Sequence, residues 1–177
     1  AEPGAPPIER IDEFRLKIGP VRVDRKARTV RVPGKLNMDA GILEYFAVAS
    51  GGKLHESVLE LDGQPSFVHL GLVLIGLDHS KYRPVKGRMP ELAKLGDRMR
   101  MWVEWQDPED GKARREPAEH FLYNRRKNGA PEPRDWVFEG SVFWNARYAA
   151  DQDRSVIALI QDRLAVIVVP GDFGNPY

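Results

Sequence analysis

The sequence predicts an α+β fold that is mainly antiparallel β, sandwich-like or a strongly twisted sheet, with one buried helix around residues 65–76. Three observations predict it. Several short segments alternate apolar and polar residues with the period of two that strands show. Turn-forming pairs such as Pro33-Gly34 and Gly51-Gly52 separate these segments. The stretch Pro65–Ile75 is apolar nearly all round, which is typical of a helix inside a core.

Length and composition predict one domain over residues 8–170, with a flexible lead-in over residues 1–7 and a loop tail over residues 171–177. A chain of 177 residues with 42% hydrophobic and 30% charged residues lies in the globular range. Its 27 Lys and Arg against 26 Asp and Glu create no overall field for nucleic acid, so no nucleic-acid partner is expected. The longest apolar stretch is too short for a membrane span. The absence of Cys removes disulfides, thiolate metal sites and iron–sulfur clusters.

The first third of the chain predicts two hairpins. Residues 18–32 alternate around the charged turn Asp24-Arg25-Lys26. A second strand, Ile42–Ala49, is followed by Ser50-Gly51-Gly52-Lys53, a sequence typical of a tight turn because glycine takes the positive φ such turns need. The segment Leu54–Leu61 is therefore expected to return as the partner strand.

The helix is predicted to start at Pro65, whose missing N–H costs nothing in a first turn, and to stop at Gly76. Its polar residues Ser66 and His69 are three apart and so share one face.

The second half predicts a long surface excursion over residues 79–97 and then a series of strands. From residue 98 to residue 106, Met99, Met101, Val103 and Trp105 share one face, while Arg100, Trp102 and Glu104 share the other. Residues 112–116 are expected to pair back as an exposed edge strand, followed by a short helical piece at 118–123 and a basic loop at 124–135. The remaining strands are predicted at 136–141, 147–150, 155–160 and 164–168.

Ionisable groups interrupt the apolar pattern at Glu44, His55, Glu56 and His69, with Ser57 beside them. A lone buried carboxylate is costly, so Glu44 and Glu56 should find hydrogen-bond donors or take up a proton. The first interpretation is a carboxylate–imidazole network that holds the helix to the hairpin, with no cofactor.

An alternative is a site for one divalent metal with nitrogen and oxygen ligands, or a general acid–base site. Its candidate ligands are Glu44, Glu56 and His69, with His55 in reserve, and this donor set suits zinc, iron or manganese in a hydrolytic enzyme. The pair His55-Glu56 begins like the zinc-protease helix motif, but Leu59 stands where that motif needs its second His.

A third hypothesis is a carbohydrate-binding module, and the candidates for its stacking surface are Trp102, Trp105, Trp136, Trp144 and Tyr148. Trp102 lies on the more polar face of its strand, where an aromatic ring offers a stacking surface, whereas Trp105 and Trp136 are expected in the core.

The chain begins Ala1-Glu2-Pro3-Gly4-Ala5, and a small residue before an acidic, Pro-rich stretch often remains after signal-peptide removal. Export to the periplasm or the extracellular space is therefore expected.

Several motifs carry a resemblance to a known family. They are Val32-Pro33-Gly34, Leu43-Glu44-Tyr45, Gly51-Gly52-Lys53-Leu54-His55-Glu56-Ser57, Val68-His69, Leu74-Ile75-Gly76-Leu77 and Trp136-Val137-Phe138-Glu139-Gly140-Ser141. From about residue 21 to residue 169 the chain resembles the YdjY-type domain of bacterial envelope proteins, and the Gly-Gly-Lys-x-His-Glu-Ser stretch is the most specific part. The resemblance implies a secreted or lipid-anchored protein and no established activity. An iron–sulfur role found as a label in the family does not transfer to a chain without Cys.

The sequence therefore favours an exported, non-catalytic binding or structural domain, whose partner is a protein or small molecule of the cell envelope. The metal-dependent enzyme stays as the alternative and the carbohydrate module as the third hypothesis.

Overall fold

The computed structural model describes residues 6–84, 92–94 and 96–169. Its helices are α1 (Pro65–Leu74) and α2 (Ala149–Asp153), with 3-10 turns at Leu54–Glu56 and Ala118–Phe121. The strands are β1 (Ile8–Arg10), β2 (Arg15–Ile18), β3 (Val21–Asp24), β4 (Thr29–Arg31), β5 (Gly34–Leu36), β6 (Tyr45–Ala49), β7 (Ser57–Leu61), β8 (Tyr82–Pro84), β9 (Leu92–Lys94), β10 (Arg98–Met99), β11 (Trp102–Gln106), β12 (Ala113–Pro117), β13 (Trp136–Phe138), β14 (Phe143–Trp144), β15 (Arg147–Tyr148), β16 (Ser155–Ala158) and β17 (Ile167–Val168).

The predicted fold class is confirmed: the chain is mostly antiparallel β with one longer helix. Strands β1 to β4 form an antiparallel meander in sequence order. The hairpin predicted over residues 18–32 is the β3–β4 pair of this meander, and Asp24 Oδ1 accepts the Ala27 N–H at 2.8 Å in its turn. Val21 and Val23 point into the core because side chains alternate along β3.

Helix α1 lies between the meander and a larger sheet, since it contacts β3 and β4 on one side and β16 on the other. The approach to the meander is close: a Cβ at Gly71 would lie 3.2 Å from Val23 and from Val30 side-chain atoms. The helix ends as predicted, with Gly76 at a φ of +88°. Val73 is exposed, so the helix is buried on the sides that face the two sheets rather than all round.

The larger sheet has the strand order β10-β13-β17-β16-β6-β7-β5. Two of its neighbouring pairs are parallel, β6–β7 and β16–β17, and the others are antiparallel. Strand β6 lies near the centre, and all five of its residues are buried. This explains its continuous apolar sequence, which shows no alternation.

The predicted hairpin joining Ile42–Ala49 to Leu54–Leu61 is wrong. The strands run parallel, with Tyr45 opposite Ser57 and Ala49 opposite Leu61. The difference arises at Leu54–Glu56, which forms a 3-10 turn instead of the start of a strand. The chain crosses one face of the sheet within residues 50–56 and enters β7 in the same direction, with fewer than the dozen or so residues that a parallel crossover usually takes.

The other half of the larger sheet repeats this arrangement. Strands β16 and β17 are also joined by a short crossover, at residues 159–166. In each half an outer strand comes first in the chain, β5 or β13, followed by the central strand, β6 or β16, and then by the strand between them, β7 or β17. Strand β10 pairs on the outer side of β13. The two central strands, β6 and β16, pair antiparallel at the middle. The two crossovers bury a second, small apolar cluster, which holds Tyr45, Val48, Ala158 and Ala165.

The structure confirms some of the local predictions and corrects others. The alternation over residues 98–106 is confirmed for Met99, Met101 and Val103, which pack on the core. The edge strand at 112–116 is β12, paired with β11, and the helical piece is the turn Ala118–Phe121. The strand predicted at 147–150 is wrong after Tyr148, because α2 begins at Ala149.

Trp136 is fully buried, as predicted, whereas the core placement of Trp105 is wrong. Trp105 lies partly exposed on the β11–β12 hairpin, edge-on to Phe121. The predicted lead-in and tail fall mostly outside the described residues, as does part of the excursion at 79–97. Among the described residues, no helix is long and apolar enough to cross a membrane.

Candidate functional site

The predicted polar cluster divides between two places. The Glu44 N–H donates to the Glu56 carbonyl at 3.1 Å, so the backbone brings these two residues together. His55 is exposed on the 3-10 turn, with its Nε2 3.8 Å from Glu56 Oε2. His69 lies on α1 instead, where its Nδ1 is 2.8 Å from the Tyr148 hydroxyl. Over the described ranges, no group of three or more His, Asp or Glu residues is placed to hold a metal ion. The structure therefore does not assemble Glu44, Glu56 and His69 into one site.

Ser57, the remaining member, is fully buried at the start of β7. Its carbonyl accepts a hydrogen bond from Asn37 Nδ2 at 2.8 Å, and the same amide nitrogen donates to the Leu54 carbonyl at 2.5 Å. Asn37 thus fixes the end of the 3-10 turn where the chain enters β7.

A different set of residues concentrates polar contacts on the face of the sheet that the crossovers cover. We call it the Lys53 network; it contains Tyr45, Lys53, Asp153, Ser155 and Asp162. Lys53 Nζ donates to the Tyr45 hydroxyl at 2.7 Å, and that hydroxyl donates to Asp162 Oδ2 at 2.8 Å. Lys53 Nζ also lies 3.3 Å from Asp153 Oδ2, which accepts the Ser155 hydroxyl. The network joins the first crossover, through Lys53, to the second, through Asp162.

The electrostatics of the network keep Tyr45 neutral and Lys53 charged at physiological pH. Burial raises the pKa of the Tyr45 hydroxyl; the hydrogen bond from Lys53 opposes this and the one to Asp162 adds to it. Burial alone would lower the pKa of Lys53, but the hydrogen bond to Tyr45 and the charge of Asp153 outweigh it, and the net shift is upward. Neither group is poised to exchange a proton near neutrality, as a general acid or base would be.

The two glycines before Lys53 have distinct reasons to be there. Gly51 has a φ of +82°, which side chains with a Cβ rarely adopt. A Cβ on Gly52 would lie 2.9 Å from Arg154 Cβ and 3.0 Å from the Ala49 carbonyl oxygen. The Gly-Gly-Lys sequence therefore combines a left-handed turn, a close backbone approach and the lysine that joins the two crossovers.

His69 belongs to a second cluster on the α1 side of the sheet. The Tyr148 hydroxyl donates to the Gly140 carbonyl at 3.1 Å, so its single proton is used there and His69 Nδ1–H is left to donate to the Tyr148 oxygen. Burial, together with the charge of Asp151, raises the pKa of Tyr148 and keeps the phenol protonated. The His69 ring lies edge-on to the rings of His79 and Phe138, at centroid distances of 4.9 and 5.0 Å.

The two polar residues of α1 contact other partners than those expected, and Ser66 does so through its backbone N–H. The Ser66 N–H donates to Asp151 Oδ1 at 2.8 Å, while His69 contacts Tyr148. Both contacts hold the segment 148–151 against the helix. No carboxylate from Glu44 or Glu56 takes part in these hydrogen bonds.

This anchored segment carries a short hairpin, β14–β15, which we call the aromatic hairpin (residues 143–148). Its two-residue turn has Asn145 at a φ of 48° and Ala146 at 62°, as a type I′ turn requires. Phe143 and Trp144 are 70% and 58% exposed. Phe143 rests on the Tyr148 ring at 5.2 Å, so two large aromatic side chains stand in solvent on a fixed base.

Trp102, the predicted stacking residue, is half-exposed on β11. The guanidinium of Arg115, from the paired strand, lies 4.4 Å from its ring centre. Arg115 Nε also pairs with Glu104 Oε1 at 3.4 Å, and Glu104 pairs in turn with Arg31 at 3.3 Å. The ring is therefore oriented by its neighbours while much of it stays accessible.

Sequence reasoning missed Tyr45, Lys53, Asp153 and Asp162. Lys53 was visible only as a turn residue and Tyr45 only as part of the predicted strand over residues 42–49. Their partners lie 100 and 117 residues further along the chain, so no local spacing points to them. The one available signal was the position of Lys53 inside the most specific family motif.

Comparisons with known proteins give one positive result. No curated protein and no solved structure shows a significant match to the chain. A family model described as the YdjY domain matches residues 21–162, which includes the whole Lys53 network, the His69 cluster and Trp102. Since the match spans well over half of the sequence, the chain belongs to the YdjY domain family.

Proposed function

We propose that this chain is an exported, non-catalytic binding domain of the cell envelope, and that it captures a protein partner through the aromatic hairpin. The observation that carries the proposal is the exposure of Phe143 and Trp144, at 70% and 58%, on the two opposite faces of one short hairpin. Large aromatic side chains held out in solvent are typical of binding hot spots.

The base of the hairpin supports this proposal because it is tied to the core on both sides. Tyr148 is hydrogen-bonded to Gly140 and His69. The Ser141 hydroxyl donates to the Leu164 carbonyl at 2.6 Å and accepts the Ala150 N–H at 3.1 Å. A preordered hairpin loses little conformational entropy on binding, which favours affinity.

The charge of the region favours a protein over a membrane surface. Arg147, opposite Trp144, is the only cationic residue within the hairpin, and the chain as a whole has a formal charge of +1. Anionic membranes are typically bound by clusters of several Lys or Arg. The partner that fits is a protein with a cleft that takes the hairpin between two apolar walls, one against Phe143 and one against Trp144, and with an acidic side chain near Arg147.

The two internal clusters favour a binding function over catalysis. Lys53 is engaged by Tyr45 and Asp153, and the raised pKa of Tyr45 does not suit proton transfer near neutrality. A metal-dependent reaction at Glu44, Glu56 and His69 lacks geometric support, because these residues do not form a three-ligand group.

Photo-crosslinking tests the proposal. A photoreactive amino acid is placed at position 144 of the full-length protein in its native cells, with position 42 as the matched control because Ile42 is also exposed, at 68%. We expect a discrete protein adduct from position 144 and none from position 42.

The partner identified in this way is then purified and its affinity measured. Phe143→Ala and Trp144→Ala should each weaken binding about 30-fold, which corresponds to about 2 kcal/mol, whereas Ile42→Ala should change it less than about twofold. Equal adducts at both positions, unchanged affinity in the hairpin variants, or hairpin-dependent binding to lipid vesicles in place of a protein would contradict the proposal.

Export is the part of the proposal that rests on the family resemblance rather than on geometry. Fractionation of cells that make the full-length protein should recover it with a periplasmic or extracellular marker. Recovery with a cytoplasmic marker would contradict this part and leave the hairpin argument standing.

A further inference from the structure

A groove of about 410 Å³ lies on a different surface, beside the β10–β13 pair. Its lining is strongly polar: Arg98, Arg100, Glu132, Pro133, Arg134 and Asp135. Three guanidinium groups face two carboxylates, so the groove has an excess of positive charge in a chain whose total charge is close to zero.

One carboxylate holds two of these arginines in place. Asp135 Oδ1 is 3.1 Å from Arg100 Nε, and Asp135 Oδ2 is 3.6 Å from Arg98 Nη1. A single negative charge does not neutralise two positive ones. The contact uses Nε of Arg100, so both of its terminal Nη groups remain for a ligand. A fixed guanidinium fork of this kind suits a carboxylate or a phosphate.

The same exposed row continues to an aromatic ring. Burial alternates from Arg98 through Arg100 to Trp102, and each of these side chains is exposed while Met99 and Met101 point inward. Arg100 and Met101 join β10 to β11, and the alternating burial continues through them. Residues two apart in extended backbone are separated by about 7 Å, which is roughly the size of one sugar ring. At that separation, an arginine can bind an oxyanion while the tryptophan ring contacts the sugar ring that carries it.

We propose that this surface is a second binding site, for an acidic saccharide whose oxyanion lies between Arg98 and Arg100 and whose ring lies against Trp102. The proposal is independent of the aromatic hairpin. Single-stranded nucleic acid also combines rings with anions, but it is typically bound by several aromatic rings along a positively charged groove, whereas this row offers one ring, Trp102, beside two arginines.

Isothermal titration calorimetry with defined oligosaccharides tests the proposal. The probes are oligogalacturonate, which carries carboxylates, a phosphorylated malto-oligosaccharide, and the neutral malto-oligosaccharide of the same length. We expect an acidic probe to bind at least about tenfold more tightly than the neutral one, because hydrogen bonds to charged groups contribute more than neutral ones. Whichever acidic probe binds more tightly identifies the oxyanion as carboxylate or phosphate.

Variants locate the site. Arg100→Gln and Arg98→Gln should each weaken binding of the acidic probe about tenfold, and Trp102→Ala should weaken binding of the acidic probe to a similar extent. Arg10→Gln is the matched control, because Arg10 is an exposed arginine on β1, at the edge of the meander opposite to β4, and does not line the groove. Arg100→Lys keeps the charge and loses the fork, and it should retain part of the affinity with unchanged urea stability.

Three results would overturn the proposal: equal affinity for neutral and acidic probes or for a single-stranded oligonucleotide, no binding at millimolar probe, or the same affinity in Arg98→Gln and Arg100→Gln as in Arg10→Gln. None of these results depends on the partner of the hairpin, so the two proposals fail separately.

Discussion

Replacing Lys53 by Met tests whether the Lys53 network joins the two crossovers. Methionine keeps an unbranched side chain of similar length and removes the ammonium group. The Tyr45 hydroxyl then loses the donor at 2.7 Å, and Asp153 loses the cation at 3.3 Å. Tyr45 can still donate to Asp162, so the variant removes one end of the network and leaves the other.

The expected loss of stability is about 2 kcal/mol. A hydrogen bond from a charged donor to a buried acceptor contributes about 1.5–3 kcal/mol net. The ion pair with Asp153 adds about 0.5 kcal/mol at most, because the Lys53 side chain is 37% exposed and solvent screens the pair. Packing of the methionine stem on the Tyr45 ring, where Lys53 Nζ lies 4.7 Å from the centroid, recovers a small part of the loss.

Equilibrium unfolding in urea measures this change. With an m value of about 2 kcal/mol/M, the midpoint should fall by about 1 M while m stays constant. Lys35→Met is the matched control: Lys35 pairs with Glu60 at 3.0 Å, but its side chain is 69% exposed, and its loss should cost less than about 0.5 kcal/mol.

A double-mutant cycle with Tyr45→Phe separates the Lys53–Tyr45 contact from other effects of each change. The coupling free energy between Lys53→Met and Tyr45→Phe should be about 1 kcal/mol. Equal costs for Lys53→Met and Lys35→Met, or no coupling to Tyr45, would refute the reasoning and leave Lys53 as a surface residue.

Three further predictions follow from the same contacts. The pKa of Lys53 is raised on folding, so charged Lys53 stabilises the folded state fully below the unfolded pKa, and this stabilisation is lost as pH rises through the folded pKa. The difference in unfolding free energy between wild type and Lys53→Met should therefore be constant from about pH 6 to 9 and shrink above about pH 10.5. A difference that already shrinks at neutral pH would contradict this sign. His69→Ala should cost about 2 kcal/mol by removing the partner of Tyr148 and opening a cavity, with metal content by elemental mass spectrometry unchanged; loss of near-stoichiometric zinc, iron or manganese in this variant would support the metal-dependent alternative. Gly52→Ala should lower the free energy of unfolding in urea by about 3 kcal/mol, because the added Cβ would lie 2.9–3.0 Å from neighbouring atoms. Gly51→Ala should lower it by about 1 kcal/mol, because the space around Gly51 is open and only its φ is strained. Equal losses would show that the close approach at Gly52 can relax.

The sequence correctly predicted those elements whose form and burial follow from a pattern of neighbouring residues. The alternation over residues 98–106 gave the inward face at Met99, Met101 and Val103, which pack on the core, but not at Trp105, which lies partly exposed on the β11–β12 hairpin. The helix at Pro65–Leu74 followed from an apolar run bounded by Pro and Gly. The face shared by Ser66 and His69 also followed from helical spacing alone.

The direction of strand pairing could not be predicted in the same way. Strand β6 is buried on both sides, so its sequence has no alternation that would fix a partner. The Gly51-Gly52 pair suits a hairpin turn as well as it suits the start of a crossover. What decides between them is the 3-10 turn at Leu54–Glu56, a short element that depends on Asn37 and on Leu54 packing against the sheet.

The structure separates the residues that build this domain from those available to a ligand. The Lys53 network and the His69 cluster lie on opposite sides of one sheet, because Tyr45 and the neighbouring Phe46 point to opposite faces of β6. Each cluster fixes a loop that the sheet alone would leave weakly held. The exposed aromatic side chains, by contrast, stand on hairpins that extend from this framework. Substitutions at Lys53 or His69 should therefore lower stability, whereas substitutions at Trp144 or Trp102 should lower affinity and leave the urea midpoint nearly unchanged. A domain of this kind can change its ligand by changing its hairpins, because the two clusters keep the sheet intact.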